Sequence, residues 1–351
     1  MRLSWLESRD ETRLRAAALL PLAAVAGVVG GAARARRALT RAGVLGSVRL
    51  SGRVVSVGNL TLGGSGKTPT VAWIAGELNR RGHKVVIASR GYAGRRRDPV
   101  LVVSDGRFVR ARAETAGDEP MVLAARAPGV PVLVGRDRAL VGLRALSAFG
   151  ADVLVLDDGF QHLRLQRDVD VVTVDGSFGF GNGRLLPRGP LREPIGALRY
   201  ADAVGVVDGP LPESDAARVD GEAPAAYRFA ARRRPRALRP LAGGDASSPG
   251  MLAGKEVGLL AALARPASFR RTLASLGAHV VAQRVFRDHH RYRARDLRGL
   301  AREAPLWVTT EKDAVKIVPG WVGRAEVRVL SIDLEIEDAR GFADWLESRL
   351  R

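Results

Sequence analysis

Thr61-Leu62-Gly63-Gly64-Ser65-Gly66-Lys67-Thr68 is the stretch that decides the fold. A short β-branched run, Arg53-Val54-Val55-Ser56-Val57, precedes it and ends at Gly58-Asn59. A helical pattern follows from Lys67 to about Arg81. A Gly-rich turn between strand and helix aims backbone N–H groups at one spot. That spot also feels the positive end of the helix dipole, so it binds phosphate. All eight residues, Thr61 to Thr68, are read as the nucleotide cradle, with Lys67 on the β- and γ-phosphates and the Thr68 hydroxyl on Mg2+. The strict pattern asks for Gly where Thr61 stands. Gly63, Gly64 and Gly66 still free the backbone. Leu62 occupies the place where a deviant loop carries a second Lys, which argues against the dimerising partition and targeting ATPases. Thr310-Glu311-Lys312-Asp313 has the letters of a guanine-reading motif at the wrong spacing, so ATP is expected rather than GTP.

Outward from this loop, apolar strands alternate with helices. Lys84–Ala88, Val130–Val134, Val153–Leu156, Val169–Val174 and Ala203–Val207 read as core strands. Asp118–Arg126 and Arg136–Phe149 read as helices, and Asp105-Gly106 as a hairpin turn. Continuous apolar strands between helices predict a parallel sheet covered on both faces. A Pro-, Gly- and Arg-rich segment from about 208 to 250 reads as a linker or a pair of crossing strands. Strand and helix alternation then resumes to Leu350. The fold expected is α/β: a P-loop NTPase-like parallel sheet flanked by helices, a second smaller α/β domain, and an N-terminal membrane-interface helix. The expected boundaries are residues 1–40 for the membrane-associating segment, 41–225 for the P-loop kinase domain and 226–351 for the C-terminal domain.

The membrane reading rests on Ala16 to Ala33, an uncharged apolar run between Arg13 and Arg15 on one side and Arg34, Arg36 and Arg37 on the other. It is short for a span, contains Pro21 and leans on Ala and Gly. Glu7, Asp10 and Glu11 sit where a signal peptide has its basic region. A helix lying in the interface, its arginines at the headgroups, fits these features; an ordinary buried helix is the alternative. The net charge of +19 fits an anionic lipid surface or a phosphorylated substrate. Only 5 of the 56 basic residues are Lys, a bias that coding composition also produces. No zinc-finger or RNP-type signature accompanies the charge, so nucleic acid is not expected. With 0 Cys, disulfides and thiolate chemistry are excluded.

Several acidic and basic turns carry the remaining chemistry. Leu154-Val155-Leu156-Asp157-Asp158-Gly159 has the form of a strand ending in Mg2+-holding carboxylates, or of a plain Asp-Gly turn, and Gln161 and His162 follow at once. Asp118, in Gly117-Asp118-Glu119-Pro120, is either an N-cap or a catalytic carboxylate. Asp288-His289-His290 follows a strand, and an Asp–His pair tunes a general base. Ser89-Arg90-Gly91-Tyr92 and the Pro-punctuated loop Leu186 to Pro194 are placed to hold a phosphorylated ligand.

Together these segments resemble the tetraacyldisaccharide 4'-kinase (lipid A 4'-kinase) family of Gram-negative bacteria. The resemblance is carried in order by Val57-Gly58-Asn59-Leu60-Thr61 with the loop through Pro69, by Ser89 to Tyr92 and by Gly117 to Pro120. It continues through Asp157-Asp158-Gly159-Phe160-Gln161-His162, Phe180 to Gly183, Leu186-Pro187 with Gly189 to Glu193, Asp288-His289, and Thr310-Glu311-Lys312-Asp313-Ala314-Val315-Lys316. Thr at position 61 is that family's own form. Two places depart from it: Ala93-Gly94 where the family usually has Gly first, and Ala261-Ala262-Leu263-Ala264-Arg265-Pro266 where it favours a Gly-Ile-Gly-x-Pro turn.

The resemblance implies phosphoryl transfer from ATP, with Mg2+, to the 4'-hydroxyl of a tetraacylated disaccharide 1-phosphate, giving lipid IVA. It also implies a peripheral or monotopic place on the cytoplasmic face of the inner membrane. By the same resemblance Asp118 is the base and His289 raises its basicity or relays the proton, with domain closure bringing them together. Lys67 serves the phosphates. Thr68, Asp157, Asp158 and Glu193 serve the metal, and Arg90, Arg136, Arg138 and Arg192 serve phosphates of ATP or lipid. The oligomeric state is left open. The alternative is a P-loop ATPase acting as a nucleotide-gated binding protein or metallochaperone.

Overall fold

Two sets of parallel strands share one sheet and meet head to head. The computed structural model describes residues 18–351. Among these, one 12-stranded sheet has the order β10-β9-β11-β12-β8-β7-β6-β1-β5-β2-β4-β3. The first set comprises β1 (Arg53–Gly58), β2 (Val85–Ser89), β4 (Val132–Gly135), β5 (Val153–Asp157), β6 (Val169–Asp175) and β7 (Ala203–Val207), with β3 (Val100–Ser104) antiparallel at the edge. The second comprises β9 (Glu256–Ala261), β10 (His279–Val285), β11 (Leu306–Thr310) and β12 (Glu326–Ile336).

The two sets are joined by β8 (Tyr227–Pro240). Its first residues pair parallel with β7, and from Ala231 onward it pairs antiparallel with β12. Residues Arg232 to Pro240 therefore run past the carboxyl edge of the first set, and β12 returns along them. Because β9, β10 and β11 follow the direction of β12, their carboxyl ends point back at the carboxyl ends of the first set. The loops that leave both edges converge on one cleft. The segment expected to be a linker or crossing strands is thus a helix and this long shared strand, and the sheet is continuous across residues 225 and 226.

Strand alternation builds the core and aims the site. On β5, Val153 and Val155 face helix α2 (Lys67–Arg80), where they meet Val71, Ile74 and Leu78. Leu154 and Leu156 face α4 (Arg138–Phe149), where they meet Val141 and Ala145. Period two then puts Asp157 on the α2 face, the face of the phosphate loop. Helix α3 (Asp118–Arg126) coincides with its sequence expectation, and its first turn carries Asp118 and Glu119. In the second set, Val257, Leu259 and Val308 pack on Phe269 and Leu273 of α6 (Pro266–Ser275). Gly258 is forced: a Cβ there would lie 2.4 Å from the buried Trp307 ring. Helix α7 (Ala339–Leu350) returns to the first set through Phe342 and Leu346.

Helix α1 (Leu20–Arg41) lies on the other face, with Pro21 in its first turn, where no intrahelical donor is needed. Ala26, Gly30 and Arg37 are its buried positions. No helix among the described residues is long and apolar enough to cross a membrane. Arg13, Arg15 and the acidic residues before them lie outside the described residues.

Candidate active site

The phosphate loop is shaped by two glycines at positive φ, Gly63 at 102° and Gly66 at 84°. Gly66 opens α2 and packs on Val207, which a Cβ would approach to 3.0 Å. The Pro-punctuated loop is laced to it: Leu62 N–H donates to Pro190 at 2.8 Å and Arg192 N–H to Leu60 at 2.7 Å. Lys67 Nζ donates to Asn59 Oδ1 at 2.9 Å and lies 3.6 Å from Asp158. Asn59 in turn donates to the Thr61 carbonyl at 2.6 Å. Burial lowers the Lys67 pKa against the pull of Asp158.

The two carboxylates after β5 differ in environment. Ser89 Oγ donates to Asp157 at 2.9 Å. Burial first, then the carboxylates of Glu119 and Asp158, push Asp157 up to about 7. Asp158, at φ 54°, receives both a 2.9 Å and a 2.8 Å hydrogen bond from Arg192. Burial also opposes its charge, but Lys67 and Arg192 outweigh that and hold it below its ordinary range. Asp157, pushed up by its burial and by two neighbouring carboxylates, is the member of the pair that a divalent cation would relieve. Among the described residues no group of three or more His, Cys, Asp or Glu could hold a metal. Mg2+ takes one or two carboxylates and leaves its other positions to water and substrate phosphates. Thr68 lies in the first turn of α2, directly after Lys67.

Across the cleft, His289 Nδ1 lies 3.0 and 3.1 Å from the two oxygens of Asp118. The pair joins the first turn of α3 to the loop after β10, so the dyad already stands assembled in this structure. Tyr92 packs its ring 4.9 Å from that of His289. Lys312 lies 3.0 Å from Asp288, 3.4 Å from His289 Nε2 and 3.5 Å from Glu119. Lys316 lies 3.2 Å from Asp118. Burial opposes the charge of Asp118, but the His289 hydrogen bond, Lys312 and Lys316 hold it well below the usual carboxylate range. The Lys312 ammonium is lifted above its ordinary range, against burial, by Glu119, Asp118 and Asp288.

The family model described as "Tetraacyldisaccharide-1-P 4'-kinase", LpxK, matches residues 15–351. The chain belongs to this family. A tetraacyldisaccharide 4'-kinase of Anaeromyxobacter dehalogenans strain 2CP-1 is 47% identical over 332 residues, covering 91% of this chain and 86% of that one. One from Syntrophus aciditrophicus is 42% identical over 312 residues, covering 84% and 83%. A crystal structure of LpxK from Aquifex aeolicus, an "apo" form in complex with ATP, superposes with a TM-score of 0.75 at 30% identity, covering 95% of this chain and 99% of that one. Membership makes the chain an ATP-dependent kinase, and these matches give the metallochaperone alternative no support.

Other predicted site residues of this kinase fall into two groups. Arg138 is buried, donates to the Arg136 carbonyl at 3.0 Å, and is pushed below the ordinary arginine range by burial and then by Arg90. Arg96 is lowered by burial and then by Arg136 and Arg90. Four arginines thus crowd one edge beside Asp157 and Asp158, an arrangement an anion relieves. Burial and then Arg138 push His162 down to about 4. The Glu193 carboxylate accepts a hydrogen bond from Arg37 of α1 at 2.7 Å. The Arg37 guanidinium also sits 4.7 Å over Phe160 and 4.8 Å over Tyr200.

Sequence reasoning gave no role to Asn59, Glu119, Tyr92, Lys312 or Lys316. All five lie inside the quoted family segments, so their positions were visible while their partners were not.

Proposed function

We propose that the chain transfers the γ-phosphoryl group of ATP to the 4'-hydroxyl of a tetraacyldisaccharide 1-phosphate, giving lipid IVA, at the cleft between the two strand sets. Lys67 and the backbone of Thr61 to Thr68 hold the triphosphate. Thr68, Asp157 and Asp158 would hold Mg2+, which when bound neutralises charge on the phosphates. Asp118 accepts the proton of the attacking hydroxyl as its oxygen bonds to phosphorus and the bond to ADP breaks. His289 orients that carboxylate and shares the proton. Phosphoryl transfer passes through a loose transition state, so positioning and charge matter more than strong basicity. A carboxylate held ionised by its neighbours meets that need.

The Asp118–His289 contact carries this reading, because it joins groups from opposite strand sets at the nucleotide edge. An acceptor site is supported by a cavity of about 410 Å³ between α1 and the Pro-punctuated loop. Ala23, Ala26, Gly27 and Gly30 line one side, and Arg34, Arg184 and Arg188 give it a basic rim. Such a groove suits acyl chains below a phosphorylated sugar. Attachment at the cytoplasmic face of the inner membrane follows from the same acceptor, with Leu20, Val25, Val28 and Val29 as the exposed apolar residues of α1.

The test is purified protein with Mg-ATP and the disaccharide lipid, scored for a new phosphomonoester. Asp118→Asn and His289→Ala should each lose about 10²–10⁴ in kcat with the ATP KM nearly unchanged. Near-normal rates in both would remove the dyad from the mechanism.

A further inference from the structure

Thr310-Glu311-Lys312-Asp313-Ala314-Val315-Lys316 has no role in the chemistry above, yet its charges face the catalytic carboxylate. It follows β11, and the head-to-head sheet delivers it to the first turn of α3. Lys316 Nζ lies 3.2 Å from Asp118 Oδ2 and 3.2 Å from Asp313 Oδ1, and its side chain is 9% exposed. Asp313 is fully buried and fixed, accepting from the Ala262 N–H at 3.1 Å and the Thr310 hydroxyl at 2.7 Å. The Tyr292 ring closes the other side, 5.6 Å from the ammonium. At the start of the segment, Glu311 pairs with Arg126 in the last turn of α3. Helix α3 is therefore gripped at both ends by one short segment.

We propose that Lys316, assisted by Lys312, is a positioning residue of the phosphoryl-transfer site: it holds Asp118 turned toward His289. The assignment rests on the reading of Asp118 as proton acceptor. A lysine is buried only where partners compensate its lost hydration. Asp313 alone would neutralise Lys316. The second carboxylate within 3.2 Å, already engaged by His289, is the one whose orientation the ammonium sets. The groups facing Asp118 are Glu119 on its own helix, Asp288 and His289 from the loop after β10, and Lys312, Asp313 and Lys316 from the segment after β11. Of these only the lysines supply fixed positive charge.

Removing a cation beside a carboxylate removes the contact that fixes its orientation, so the loss falls on the chemical step rather than on nucleotide binding. The full chain, assayed with Mg-ATP and disaccharide lipid, should show kcat in Lys316→Met reduced about 10–100-fold with its ATP KM within about twofold. Lys316→Arg should recover part of the rate. Lys312→Met, at a more exposed position, should lower kcat in the same sense without stranding Asp313, and it decides the matter if Lys316→Met does not fold.

Wild-type kcat in Lys312→Met and in folded Lys316→Met overturns the assignment. Asp118→Asn separates the two levels. If it keeps its turnover, the proton-acceptor reading falls and takes this one with it. If it is inactive while the lysine variants behave as wild type, only the positioning role falls.

Discussion

Four non-glycine residues among those described adopt positive φ: Ala93, Asp158, Asp208 and His289. Asp158 and His289 are in the candidate site, and Ala93 follows the Ser89-Arg90-Gly91-Tyr92 turn beside it. Left-handed backbone outside glycine gathers where function fixes the geometry. Ala93, at 60°, explains why the family prefers glycine there: a Cβ costs about 1 kcal/mol in that region. The next position cannot exchange roles with it, since a Cβ on Gly94 would lie 2.4 Å from the Thr115 carbonyl. Ala93→Gly should therefore stabilise the protein by about 0.5–1 kcal/mol, net of the freedom gained by the unfolded chain, and raise Tm by about a degree. A lower Tm in calorimetry would contradict the left-handed assignment. At this scale the sequence showed which residues carry chemistry but not who restrains them. Lys67, Asp118, Asp157 and His289 stand out by motif. Their partners Asn59, Lys316 and Lys312 do not, because a lysine's role depends on what the fold brings within reach.

Helix α1 is held by a buried ion pair and by small residues. Gly30 lets the helix approach Leu185, which a Cβ would meet at 2.4 Å. Arg37 lies between Phe160 and Tyr200 and pairs with Glu193, while Arg36 donates to the Gln161 carbonyl at 3.1 Å. The helix thus rests on the segment that follows Asp157 and Asp158. Truncating one partner of a buried pair strands the other charge, which costs about 3–5 kcal/mol. Arg37→Ala should loosen α1 and speed tryptic cleavage between Arg34 and Arg41, and Arg37→Ala/Glu193→Ala should recover part of the loss. Unchanged cleavage in the single variant would show that the helix is anchored elsewhere. Arg37 and Glu193 are far apart in sequence, so the pair was not readable from either. Strand β8 escaped reading for a different reason. It carries Arg232-Arg233-Arg234-Pro235-Arg236 instead of an apolar alternation, and the proline, which cannot donate to a ladder, sits at the register shift opposite Ser331 and Ile332.

The whole molecule couples two edges. The carboxyl ends of the first strand set present the phosphate loop and carboxylates, those of the second present His289 and the lysines, and α1 lies on the opposite face of the sheet from α2. On the proposed reading, that layout would put an amphiphilic acceptor between a helix that meets lipid and the edge that meets ATP. Exposed Leu20, Val25, Val28 and Val29 supply apolar area, and a net charge of +19 supplies attraction to anionic headgroups. The two contributions separate by experiment. Sedimentation with vesicles containing about 30% anionic lipid should pull down the full chain, less so as ionic strength rises, because surface charge is screened over about 10 Å at 0.1 M salt. Val28→Asp/Val29→Asp should reduce binding at every salt concentration, since it removes insertion rather than attraction, and should leave phosphorylation of a detergent-dispersed acceptor intact. Equal sedimentation of variant and wild type would mean that charge alone holds the protein at the surface, and α1 would then serve only to wall the acceptor groove.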